Sequence, residues 1–73
     1  MAGTGTRTLT GTVRAGVEHG CVLLDDFLLV GGDPAVVRAG ARVTVTGRVV
    51  PDLVTTCQQG TPFVVASAVP AQP

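Results

Sequence analysis

An all-β domain is predicted by three features of the sequence. Fourteen of the 73 residues are valine and only Phe27 and Phe63 are aromatic, so the interior has to be built from small β-branched side chains that favour strands. Ten glycines and five prolines interrupt the chain at intervals too short for amphipathic helices of ordinary length. Between these breaks, apolar and polar residues alternate with the period of two that a half-buried strand requires. A chain of 73 residues holds one small core and not two. The domain is expected over residues 8–69, with 1–7 as a disordered N-terminal segment and 70–73 as a tail.

The first strand is read over Thr8–Val17, with Leu9, Gly11, Val13, Ala15 and Val17 on one face and Thr8, Thr10, Thr12 and Arg14 towards water. Its glycines suit a strand that bends sharply and is shared between two halves of a small barrel. Glu18-His19-Gly20 is a turn. Cys21–Leu24 and Phe27–Val30 are two short apolar runs separated by Asp25-Asp26, the spacing of a tight antiparallel hairpin. Asp33-Pro34 opens a short helical turn, with Asp33 as N-cap, Pro34 in the first helical position and Gly40 as terminator. The fourth strand places Val43, Val45, Gly47 and Val49 on one face and Arg42, Thr44, Thr46 and Arg48 on the other. Leu53–Pro62 is a loop, and the last strand runs from Phe63 to about Ala68. This order is that of a five-stranded OB-like Greek-key barrel with a helical turn between strands 3 and 4; a compact SH3-like barrel is the competing arrangement.

The segments Gly16-Val17-Glu18-His19-Gly20-Cys21, Gly40–Gly47 and Thr55-Thr56-Cys57-Gln58-Gln59-Gly60-Thr61-Pro62-Phe63 resemble an uncharacterised family of small single-domain actinobacterial proteins. That resemblance implies an OB-like barrel and carries over no catalytic residue.

Five basic and five acidic side chains give a formal net charge of zero, which supplies no long-range field for polyanions. Apolar residues reach 45% against 14% charged, with mean hydropathy +0.48, so the chain folds. No stretch approaches the ~20 apolar residues of a membrane helix. Residues 1–7 carry one positive side chain and no apolar block, so no secretory signal is read and a cytoplasmic location is expected.

Cys21 and Cys57 are the only thiols. Two readings stand open: a disulfide, which would constrain the unfolded chain, or two independent buried thiols behaving as small hydrophobes. Neither lies beside a Lys or Arg or in a Cys-x-x-Cys motif that would activate it. His19 with both cysteines makes an incomplete metal set, and a thiol or metal sensor is the weakest functional reading. Ser67 lacks an elbow motif, and Asp25 and Asp26 are adjacent hairpin residues with diverging side chains. No enzyme and no cofactor are therefore expected.

Binding is the remaining class. Thr55, Thr56, Gln58 and Gln59 are candidate ligand or partner contacts in a loop long for so small a domain. Arg14, Phe27, Arg42 and Arg48 form a candidate single-stranded nucleic-acid face, which would need a basic groove and a stacking platform. The apolar side chains Val22, Leu24, Leu28, Val30, Val50, Val64 and Ala66 exceed what the interior of an alternating barrel holds. Exposed members of that set are expected to dock a protein partner or a second copy of the chain.

Overall fold

A computed structural model describes residues 6–71. It is all-β: β1 (Arg7–Thr12), β2 (Arg14–Ala15), β3 (Val22–Leu24), β4 (Phe27–Val30), β5 (Arg42–Val49) and β6 (Thr61–Pro70) form one mixed sheet. The sheet curls into a half-barrel in the order β1-β5-β6-β4-β3-β2. All pairings are antiparallel except β4 with β6, which is parallel. No helix occurs among the described residues, so none is long and apolar enough to cross a membrane.

The expected first strand is two strands. Arg7–Thr12 pairs with β5 and Arg14–Ala15 pairs with β3, so one stretch of chain lies at both ends of the sheet order. Val13 is the hand-over point: its N–H donates to the Ala41 carbonyl at 2.8 Å and its carbonyl accepts from Gly40 N–H at 2.7 Å. The side chain of Val13 is fully buried at the turning point. This break accounts for six strands where five were expected. It also corrects the face assignment, because beyond Val13 the twist carries Ala15 outward and leaves Val17 88% exposed.

The hairpin and β5 follow the sequence closely. Leu24 pairs with Phe27 and Leu23 with Leu28 across Asp25-Asp26, where Asp25 takes a positive φ of 55° as a two-residue turn demands. On β5, Val43, Val45 and Gly47 are buried while Arg42 and Arg48 are exposed. The outer side of this ladder carries threonine pairs, with Thr10 and Thr44 hydroxyls 3.0 Å apart. Gly47 is dictated by packing: a Cβ there would collide with the Val64 carbonyl oxygen and sit 2.9 Å from the Phe63 ring. The ladder slips beside it, with Thr46 opposite Ser67 but Gly47 opposite Val65, which bulges Ala66 outward.

The helical turn expected after Asp33 does not develop into a helix. Asp33 does cap, its Oδ1 accepting Ala35 N–H at 2.9 Å, and Val37 N–H donates to the Asp33 carbonyl at 2.8 Å. Propagation stops there, because Val36 and Val37 are β-branched and Gly40 already takes a φ of 91°. Val37 is nonetheless buried in the main core, at 7% exposure. The first and last strands reach further along the chain than expected. Arg7 belongs to β1 and β6 extends to Pro70, with Ala71 N–H donating to the Arg42 carbonyl at 2.9 Å. Residues 1–5 and 72–73 of the expected terminal segments lie outside the described residues.

Two apolar clusters result. The inner one gathers Val13, Leu24, Leu29, Val37, Val43, Val45 and Phe63 inside the curl. The outer one is Cys21, Leu23 and Leu28 with Val30 and Cys57 packed on them. The apolar excess is thus only partly exposed. Leu24 and Leu28, both 1% exposed, are buried on opposite faces of the same hairpin, Val22, Val30, Val50 and Val64 are half-buried, and Ala66 is exposed.

Candidate functional site

The outer cluster exists because a loop lies over it. Residues 50–60 leave β5, cross the outer face of the hairpin and return into β6. Cys57 is bonded to Cys21 as a disulfide, with Cα atoms 6.0 Å apart and a separation of 36 residues along the chain. This decides between the two open readings of the cysteines.

Around the bond, the Gly16–Cys21 turn and the Thr55–Gly60 segment satisfy each other's main chain. Gln58 N–H donates to the Glu18 carboxylate at 2.6 Å, and Val17 N–H donates to the Gln59 side-chain oxygen at 2.8 Å. Within its own loop Cys57 N–H donates to Thr55 Oγ1 at 3.0 Å, and the same hydroxyl donates to the Cys57 carbonyl at 2.8 Å. Thr61 N–H reaches back to the Asp26 carbonyl at 3.0 Å, tying the loop's exit to the hairpin turn. Gly60 permits this approach. Its φ is 77°, and a Cβ there would lie 2.8 Å from Leu23 Cδ2.

Of the four loop residues marked as ligand contacts, Thr55 Oγ1 and Gln59 Oε1 are therefore engaged inside the clasp. Thr56 and Gln58 are exposed. Glu18 is a clasp residue that sequence reasoning placed only in a turn. Its partner lies 40 residues away, and no local pattern encodes that pairing. The clasp also carries apolar side chains in the open: Val17 is 88%, Val54 93% and Leu53 37% exposed.

The four residues of the expected nucleic-acid face do not converge on one groove. Phe27 is half-buried with its ring turned inward, 5.7 Å from that of Phe63, and the Arg7 guanidinium lies 5.2 Å above it. Arg14 donates to the Asp25 carbonyl at 2.7 Å, across the hairpin. Arg42 and Arg48 are exposed at opposite ends of β5, about 20 Å apart at the rise of an extended strand. A shallow depression of about 270 Å³ is lined by the consecutive residues Arg48–Asp52, so it is a bend of one segment and not a cleft between elements. His19, Cys21 and Cys57 form no thiolate set for a metal, since both sulfurs are bonded to each other.

Compared with family models, with curated proteins and with solved structures, the chain matches none.

Proposed function

We propose that this chain is a non-enzymatic interaction module with an OB-like barrel, and that it docks a protein partner or another copy of itself. The OB-like reading is supported by the strand order. With β1 and β2 taken as one strand, the sheet has five members, the first pairing at both ends and the third parallel to the last. The connections between the first and second and between the fourth and fifth members, which flank the ligand face of such barrels, are the two loops joined by the disulfide.

One observation carries the functional reading: Val17 and Val54 project into solvent from loops held by a covalent bond and by reciprocal hydrogen bonds. Exposed valines on preorganised loops dock a partner at little ordering cost. The disulfide further supports work in an oxidising compartment in preference to the cytoplasm. Selection of displayed peptides against the immobilised oxidised protein tests this, with the Val17→Asp/Val54→Asp double variant as counter-target. Apolar peptides that bind the wild type and not the variant are expected. Failure to enrich any, or peptides indifferent to the variant, would count against it.

The exposed guanidinium groups of Arg42 and Arg48 favour a second reading, weak binding of single-stranded oligonucleotides. It expects affinity that falls with added salt. No titration shift at low salt would remove it.

A further inference from the structure

We infer that the open edge of β6 is a self-association site at which a second copy of the chain pairs antiparallel about Ala68. The inference rests on the interaction-module reading and names its partner.

β4 pairs with β6 only over Thr61–Val64. From Val65 to Pro70 the strand is bonded to β5 on one side, and the other side has no strand partner among the described residues. Gly31 and Gly32 lie against Val65, and among the described residues no main-chain hydrogen bond from the Gly31–Val37 segment reaches further along β6. The direction of the free groups follows from the ladder. Ala71 N–H donates to Arg42, so the adjoining pair Val43–Pro70 is not hydrogen-bonded, and the Pro70 nitrogen faces the open edge where its missing N–H costs nothing. Two residues back, Ala68 points its N–H and carbonyl the same way.

This edge differs from the others in charge. The strands at the ends of the sheet order carry Arg7 and Arg14, and charged side chains are a usual means of keeping an edge unpaired. Thr61–Pro70 holds no charged residue, and its open half exposes only Ala66, Ser67, Val69 and Pro70, with Val69 55% exposed. A two-fold axis through Ala68 gives two reciprocal N–H to carbonyl bonds between the Ala68 residues. It sets each Val69 opposite the Ser67 of the other copy, with no like charges brought together. Small side chains on both sides allow the strands to close. A second copy fits because the same short, uncharged run serves both halves of an isologous contact.

Sedimentation of the oxidised protein over a concentration series tests this. Wild type is expected to pass from one to two chain masses between about 1 µM and 1 mM, as befits a small interface. Ala68→Pro removes the edge donor without touching the β5 ladder, and Val69→Lys places a charge against the contact. Both are expected to stay monomeric with an unchanged disulfide, Val69→Lys with an unchanged melting curve as well, and Val69→Lys decides alone if Ala68→Pro, whose position packs on the inner cluster, does not fold. A wild type of single-chain mass throughout overturns the inference, as does dimerisation of Val69→Lys at the wild-type concentration. A dimer abolished by Val17→Asp/Val54→Asp and kept by both β6 variants would overturn the edge while leaving the docking function intact.

Discussion

The inner and outer clusters share a hairpin and are stabilised by different means. The inner cluster draws on β3, β4, β5, β6, Val13 and Val37, and every strand that supplies it is also held by a ladder. The outer cluster has three buried members, and its cover is a loop without strand or helix. Burying a large aliphatic side chain yields about 1.5 to 3 kcal/mol, whereas ordering each loop residue costs about 1 to 2 kcal/mol. A loop of eleven residues, 50–60, cannot be recovered by Leu23 and Leu28 alone. The disulfide offsets part of that deficit by restricting the unfolded chain, and the hydrogen bonds of the clasp add to it. A small half-barrel can thus bury both faces of one hairpin if one face is held covalently.

The largest expected effect breaks the inner side. Phe63→Ala removes the largest fully buried side chain and is expected to cost about 3 to 5 kcal/mol, read as loss of the cooperative thermal transition even with the disulfide intact. Next is the clasp. Replacing Cys21 and Cys57 by Ala should cost up to about 4 kcal/mol for a closed loop of 36 residues, a fall in melting temperature of roughly 15 to 30 °C by calorimetry. A change below about 5 °C would mean that the loop is held by packing and that the contrast drawn here is false. Gly60→Ala sharpens the comparison further. A methyl group at φ 77° and against Leu23 should cost about 1 to 3 kcal/mol in denaturant titration while the β5 amides keep their protection. The smallest effect belongs to Gln59→Ala, which frees Val17 N–H in an exposed setting and is expected to cost about 1 kcal/mol or less.

The same division marks what was legible in the sequence. β5 and the hairpin could be read residue by residue, since alternation and the Asp25-Asp26 spacing are local signals. The Asp33 cap was also legible, although the helical turn it announced does not propagate past β-branched residues and Gly40. The break at Val13 was not, because its bonds go to Gly40 and Ala41. The outer cluster was half legible. The unbroken apolar runs Cys21–Leu24 and Phe27–Val30 signalled more apolar surface than one face can hold, and two-sided burial of a strand is the other meaning of such a run. What covers the second face depends on Glu18 meeting Gln58 and on Cys21 meeting Cys57, pairings made by topology. The candidate nucleic-acid residues stay apart for a related reason: β5 is long enough to separate Arg42 from Arg48, and Phe27 falls on the inward parity of β4.

Amide hydrogen exchange followed residue by residue, with the disulfide intact and after reduction, tests the covalent cover most directly. In native conditions reduction should strip protection from Val17 and Gln58, whose acceptors lie across the clasp, and from Thr61, which ties the loop's exit to the hairpin turn, while Val45 in the inner ladder stays protected. Equal loss at all four amides, or no loss at the first three, would contradict the account.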